Sequence, residues 1–368
     1  MREFTDGSAA IVRGALDAGC TFFAGYPITP ASPILMQMMR DLPKAGGIAV
    51  QGEDEIASIG MCIGATLAGA RAMTATSGPG LSLYSENIGL AIIGEVPLVI
   101  VDVQRLGPAT GGATTVGQGD VQFARWGTAG GYPIVALAPS SLAECYALTR
   151  RAFDLAERFR CPVFLLTDKE LNMTTTTVEV NDYEKPVVRA RSVPTATGPP
   201  YRYLPADGVP PIAQYGGDGL VRFTGSTHDE RAIITKAAVK VAELNEHLRA
   251  KIEDHVDEIE LCVHDTQEGA TTLFVSYGIT AGAMREAVAR LRANGVRVSS
   301  LTVQSLWPAP ERAIRGALDG ISRVVVAELN HGQYRREIER LAKCAAVVGL
   351  HRVDGELIPP EKFLEAVR

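Results

Sequence analysis

The 368-residue chain has no run of about 18 apolar residues, which excludes an ordinary membrane-spanning helix. Its first residues, MREFTDGSAAIVRGALDAG, lack the apolar centre of a secretory signal. Cysteine is sparse: Cys20, Cys62, Cys145, Cys161, Cys262 and Cys344 lie far apart, and none falls in a C-x-x-C pair. That spacing argues against a zinc site or an iron–sulfur cluster within this chain. Most of these cysteines sit among apolar neighbours, as free thiols in a reducing cytoplasm do. An excess of positive charge is also missing. With 36 Lys and Arg against 42 Asp and Glu, the net charge is −6, and the cations form no stripe, so a nucleic-acid partner is not expected.

What is present is an alternation of strand-like and helix-like runs. Over residues 1–180, strands such as PLVIVDVQR and CPVFLLTDK alternate with helices such as EIASIGMCIGATLAG, in which Ile56, Ile59, Ile63 and Leu67 are expected on one face. Such alternation predicts an α/β domain with a parallel sheet covered on both faces. From 181 to 264 the pattern weakens into Pro-, Gly- and Arg-rich sequence, read as an extended connector, followed by a helix expected over ERAIITKAAVKVAELNEHLRAKIEDH. From 265 to 368 the alternation returns as a second, smaller α/β domain, with VRVSSLTVQSLWP read as one strand.

Parallel sheets place ligands beyond the carboxyl ends of their strands. Three loops of the first domain occupy such places. They are Gly25-Tyr26-Pro27-Ile28-Thr29-Pro30, Ser77-Gly78-Pro79-Gly80, and the Gly- and Thr-rich loop that starts at Gln104-Arg105. The third suits an anion held by Arg105, backbone N–H groups and hydroxyls. Turn chemistry alone also accounts for each loop. Glu53, Asp54 and Glu55 pose the same choice. The helix dipole favours acids in a first turn, which explains all three without function. A functional reading requires one of them to be buried against a bound cofactor.

Two further clusters are discounted. Gly217-Asp218-Gly219 followed by Asn245 has the spacing of the motif that binds Mg²⁺ and diphosphate in thiamine enzymes, but no buried strand precedes it. His228-Asp229-Glu230 suggests a metal or acid–base cluster, but consecutive helical residues diverge, so Asp229 and Glu230 are read as the first turn of a helix.

Taken in order, GYPITP, QGEDEIASIGMCIGA, MTATSGPGLSL, PLVIVDVQR with GPATG, QGDV with ARWGT, TGSTHDE, SYGIT, LWP and AELN with GQ resemble the alpha subunit of 2-oxoacid:ferredoxin oxidoreductases, nearest the 2-oxoglutarate type. The resemblance covers nearly the whole chain. It implies a thiamin-diphosphate-binding-type (pyrimidine) domain and a transketolase C-terminal-like domain. It also implies a thiamine diphosphate shared with a beta subunit that carries Mg²⁺ and a [4Fe–4S] cluster. Coenzyme A would be the co-substrate and ferredoxin the acceptor, in an (alpha–beta)₂ heterotetramer. A gamma part would be separate or absent, since none precedes Met1.

On this resemblance a carboxylate activates the aminopyrimidine ring, and the cofactor is the electron sink. Glu55 is the acid expected to do so, because it directly precedes the apolar face of its helix, while Glu53 and Asp54 lie further out. Thr29 would bond the keto acid and Arg105 its 1-carboxylate; Tyr26 and Ile28 would shape the pocket. Ser77, Gly78 and Pro79 would lie against the aminopyrimidine. Thr114, Thr115 and Arg125 are candidates for a second substrate carboxylate. Asn330-His331-Gly332-Gln333, after a strand, would serve packing and coenzyme A contact. Pyruvate, branched-chain or aryl oxoacids are the alternative substrates, and a non-catalytic scaffold subunit is the alternative class.

Overall fold

The apolar, β-branched runs of the sequence become fourteen strands among the residues described by the computed structural model, namely 2–179, 183–193, 199–217 and 221–367. In chain order they are β1 (Arg2–Thr5), β2 (Phe22–Gly25), β3 (Ile48–Gln51), β4 (Ala72–Thr76), β5 (Leu98–Gln104), β6 (Val135–Leu137) and β7 (Pro162–Asp168). They continue with β8 (Thr176–Glu179), β9 (Cys262–Asp265), β10 (Thr272–Ser276), β11 (Val298–Val303), β12 (Ser305–Trp307), β13 (Arg323–Glu328) and β14 (Ala346–His351).

The first sheet runs β12-β6-β7-β5-β4-β2-β3, parallel except for β12. Its central strands β4, β5 and β7 are buried along their whole length. Helices cover both faces, so these strands carry apolar side chains on both. Val99, Val101 and Val103 of β5 pack into one core, with Ile11, Met38 and Phe153. Leu98 and Ile100 pack into the other, with Ile59, Tyr84 and Ile88. The second sheet runs β14-β13-β10-β11-β9, with only β9 antiparallel. A small antiparallel ribbon, β1 with β8, closes the first lobe.

Two expectations need correction. The run from Val298 to Trp307 is not one strand. It breaks at Gln304, leaving β11 in the second sheet and sending β12 to pair with β6 in the first, Ser305 against Leu137. Gln304 N–H donates to Leu261 O at 3.0 Å, and Gln304 O accepts from Ala138 N–H at 2.7 Å. Both halves are fully buried, so the hydropathy of the run carries no trace of the break. The helix expected from Glu230 begins only at Ala238 and ends at Glu253. Asp229 and Glu230 are therefore not in its first turn. Asp229 Oδ1 instead accepts from Arg231 and Ile233 N–H (2.9 and 3.0 Å), a local turn that the side chain stabilises.

Before that helix, the described segments 183–193, 199–217 and 221–237 carry no helix or strand. They are nonetheless tied down. Arg189 and Arg191 pair with Asp154 and Glu157 of the Leu142–Phe159 helix (2.8 and 2.7 Å), and the rings of Tyr201, Tyr203 and His228 pack in sequence. Of the discounted Gly217-Asp218-Gly219 motif, residues 218 and 219 lie outside the described residues. Its distal Asn245 uses Oδ1 to accept from Tyr132 Oη at 2.7 Å.

Candidate active site

The carboxyl edge of the first sheet gathers the loops named above. Strand order sets β2, β4 and β5 near one another, and Thr76 at the end of β4 pairs in register with Asp102 of β5. Beyond β3, the three acids separate by environment. Glu53 is exposed. Asp54 is the N-cap of the Glu55–Leu67 helix, its Oδ1 accepting from Ala57 N–H at 2.7 Å, so it is a half-buried cap rather than a free surface acid. Glu55 becomes the first helical residue and is 7% exposed. The buried stripe is Glu55, Ser58, Ile59, Cys62, Ile63, Thr66 and Leu67, a helical period that begins with the acid itself. Ile56, expected on that face, is 50% exposed; the cap geometry turns it outward.

Glu55 faces the turn after β4. A side chain at Gly80 would place its Cβ 2.1 Å from Thr76 Oγ1 and 2.8 Å from Glu55 Oε1, so only glycine fits there. The Thr76 and Ser77 hydroxyls are buried and have no hydrogen-bond partner, and among the described residues no donor bonds the Glu55 carboxylate. Ser77 occupies the N-cap position of the Gly78–Leu83 helix without making a capping bond. Behind them, Tyr84 Oη bonds Thr74 Oγ1 at 2.7 Å, and burial pushes the phenol's pKa up, which keeps it neutral. Buried polar groups without partners are costly. At this turn the Thr76 and Ser77 hydroxyls are left free to bond a ligand's polar atoms.

Arg105 lies directly after β5 and is buried. Its Nη1 donates to Thr29 O at 2.5 Å, while its Nε has no partner, so the structure brings the PITP loop and the post-β5 loop together. Ile28 packs on the core, and Tyr26 is 37% exposed at the loop's outer side. The other predicted residues fall elsewhere. Thr114 is exposed, and Thr115 Oγ1 donates to Gly112 O at 2.8 Å, closing its own loop. Arg125 stacks on Trp126 at 3.9 Å and donates to Gly131 and Tyr132 carbonyls. It lines a separate cleft of about 750 Å³ together with Trp307, Glu253 and Arg340; none of the other predicted site residues lines that cleft.

Sequence reading passed over Asp102 and Asp120. Asp102 hides inside the apolar run LVIVDVQ, fully buried, with neither carboxyl oxygen bonded to a donor. Asp120 approaches the same turn, its Oδ2 lying 3.4 Å from where a Gly78 Cβ would sit. Burial pushes the Asp102 pKa far above the usual carboxylate range, helped by the Asp120 charge. Burial also raises the Asp120 carboxyl to about 6, against the opposing pull of neighbouring Asp102 and of the Arg105 charge. A lone acid in an otherwise apolar central strand was the available signal.

Residues 13–247 match the family model described as pyruvate flavodoxin/ferredoxin oxidoreductase, thiamine diP-binding, and residues 270–363 match pyruvate:ferredoxin oxidoreductase core domain II. The chain belongs to the pyruvate flavodoxin/ferredoxin oxidoreductase family. It is therefore an oxidoreductase subunit whose first lobe is of the thiamine-diphosphate-binding type. It is 40% identical to 2-oxoglutarate synthase subunit KorA of Methanothermobacter thermautotrophicus, over 99% of this chain and 97% of the relative. Its fold superposes with TM-score 0.93 and 31% identity on 2-oxoglutarate:ferredoxin oxidoreductase from Magnetococcus marinus, solved with 2-oxoglutarate, coenzyme A and succinyl-CoA bound. That match covers 100% of this chain and 64% of the solved one. A split-gene transketolase, 14% identical, shares the fold alone at TM-score 0.54, over 98% of this chain and 95% of its own.

Proposed function

We propose that this chain is the pyrimidine-side subunit of a coenzyme A-acylating 2-oxoglutarate:ferredoxin oxidoreductase. In this reading it helps convert 2-oxoglutarate, coenzyme A and oxidised ferredoxin to succinyl-CoA, CO₂ and reduced ferredoxin, or runs the reverse carboxylation. The observation that carries this is Glu55: a buried acid with no donor, pressed against a glycine turn whose own hydroxyls lack partners.

The residues fit the pyrimidine side of thiamine diphosphate. Gly80 lets the turn close onto Glu55 and Thr76, Ser77 and Thr76 offer hydroxyls, and Glu55 offers a carboxylate. When bound, that cofactor supplies the electron sink for decarboxylation. The chain's part is to hold a proton at the Glu55 carboxylate, to orient an oxoacid against Arg105 and Thr29, and to keep water from the turn. Thr114, Thr115 and Arg125 remain candidates for a distal carboxylate only if their loops close on the site when the partner binds.

No group of three or more His, Cys, Asp and Glu residues that could hold a metal ion occurs among the described residues. In this reading Mg²⁺, the diphosphate and a [4Fe–4S] cluster belong to a beta subunit, and the working unit is an (alpha–beta)₂ heterotetramer in a reducing cytoplasm. The six cysteines are free thiols, which fits that compartment. Among the described residues no helix is long and apolar enough to cross a membrane.

The family model's description names pyruvate, which favours a second reading with a smaller oxoacid. A steady-state panel on the chain co-purified with its beta subunit separates the two. The first reading expects 2-oxoglutarate to give the highest kcat/KM with coenzyme A and a low-potential acceptor. If pyruvate or 2-oxoisovalerate turned over while 2-oxoglutarate stayed inert, that reading would fail.

A further inference from the structure

The carboxyl edge of β5 holds a pair of acids that the reading above leaves unused. Asp102 is fully buried, and both of its oxygens lack a donor; Asp120 Oδ2 is sealed from solvent and also unpartnered. Both carboxyls are held at the Thr76–Gly78 turn, Asp102 opposite Thr76 and Asp120 against Gly78, near enough for each to shift the other's titration. Ionised carboxylates only accept, so two such neighbours without donors repel and leave three buried oxygens unsatisfied, Asp102 Oδ1 and Oδ2 and Asp120 Oδ2. A single proton between them removes the repulsion and lets one carboxyl donate to the other.

The pair is placed deliberately. Asp102 sits opposite Thr76 in the sheet, and Asp120 abuts Gly78. The segment carrying Asp120 is clamped from the second lobe. Gln118 N–H donates to Leu329 O, and Gln118 Oε1 accepts from Leu329 N–H, both at 3.0 Å. Asn330 Nδ2 donates to Gln118 O at 2.7 Å, and Gln333 Nε2 donates to Gly119 O at 2.6 Å. From the first lobe, Gln104 Oε1 accepts from Asp120 N–H at 3.2 Å. The Asn330–Gln333 loop, expected to serve packing or coenzyme A, thus fixes an acid beside the candidate cofactor turn. The charged groups around the pair are Arg105 from the post-β5 loop, Glu55 across the Gly78–Gly80 turn, and Asp168 at the end of neighbouring β7.

We propose that Asp102 and Asp120 share one proton and so hold a single negative charge beside Arg105, tuning that arginine's attraction for an anionic substrate. Asp102 and Asp120 are positioning residues: they act through Arg105. The proton sits on one carboxyl and is donated to the other; when it leaves to solvent, the pair gains a second negative charge, and an incoming carboxylate is repelled. The identity of that anion, an oxoacid, rests on the function proposed above; the shared proton does not.

The test has two arms. Infrared spectra of the full chain at neutral pH are expected to show a buried carboxylic-acid carbonyl band that Asp102→Asn removes. In the enzyme assembled with its beta subunit, KM for the oxoacid is expected to rise about tenfold as pH climbs through the titration of that band, with kcat changing far less, since a tenfold step is about 1.4 kcal/mol of repulsion. Asp102→Asn keeps a donor to Asp120 and one fixed charge, so the KM rise should vanish. Asp120→Asn, with a neutral pair, should lower KM at neutral pH, and it serves if Asp102→Asn folds poorly. Absence of any band sensitive to residue 102 overturns the proposal, as does a KM rise that survives Asp102→Asn. A band present in an enzyme that ignores 2-oxoacids would instead break the proposed function and leave the pair standing.

Discussion

Two buried acids in the first lobe, Glu95 and Asp102, both fully inaccessible, live in opposite surroundings. Glu95 Oε2 bonds His247 Nε2 at 2.8 Å and Lys251 Nζ at 3.0 Å, and Lys251 Nζ also donates to Arg160 O at 3.2 Å. Burial opposes ionisation of Glu95, but Lys251, Arg160 and His247 together outweigh it and hold the acid below the usual carboxylate range. Asp102 has no cation and no donor; burial and its acidic neighbour push it the other way. The difference separates scaffold from site. Where the chain brings a buried charge its partners, it pins an element, here the Ala238–Glu253 helix against the sheet edge. At the carboxyl edge, buried polar atoms of Asp102, Thr76, Ser77 and Arg105 Nε are left without partners, in keeping with the cofactor edge proposed above.

Breaking the pin should have the largest effect. Glu95→Ala strands Lys251 in the core and is expected to cost about 3–5 kcal/mol of stability by chemical denaturation. The same contrast has a pH signature. Because the native-state pKa of Glu95 is depressed, its contribution is full above the unfolded value near 4 and is lost as pH falls below it. Glu95→Gln should flatten that acid limb. The raised pKa of Asp102 works in reverse: its contribution is full below the unfolded value near 4 and is lost as pH rises from there toward the raised native value, and Asp102→Asn should remove that loss. Next in size, Gly80→Ala forces a methyl into Thr76 and Glu55. It is expected to lower turnover about a hundredfold through displaced catalytic geometry, with a far smaller loss of stability. Arg105→Lys forfeits bidentate geometry and should raise KM for the oxoacid about tenfold, with kcat less affected. Glu53→Gln, an exposed position, should change stability by less than about 0.5 kcal/mol and leave activity near that of the parent.

The alternation of the sequence made the two sheets legible, and the register of a single helix set Glu55 apart from its neighbours. The same register misplaced Ile56, because the Asp54 cap fixes where the helix begins, and capping geometry is decided by two or three backbone angles rather than by hydropathy. The division of Val298–Trp307 between two sheets was invisible because both halves are equally buried and no Gly or Pro stands at Gln304 to announce the turn. The helix start at Ala238 was misread for a similar reason: ERAIITK has helical composition, yet the Asp229 side chain captures the backbone first. Asp102 went unnoticed because a strand of LVIVDVQ reads as core; only its partner across the loop, 18 residues on, makes the acid meaningful.

Glu55→Gln in the chain co-purified with its beta subunit tests the proposed role of Glu55 most directly. The variant should assemble normally, keep the parent's thermal stability within about 1 kcal/mol, and lose roughly 10²- to 10⁴-fold in the rate of 2-oxoglutarate decarboxylation with thiamine diphosphate present. An assembled variant that decarboxylates at near-parental rate would remove Glu55 from the chemistry and contradict the assignment of this edge as the pyrimidine half of the active site.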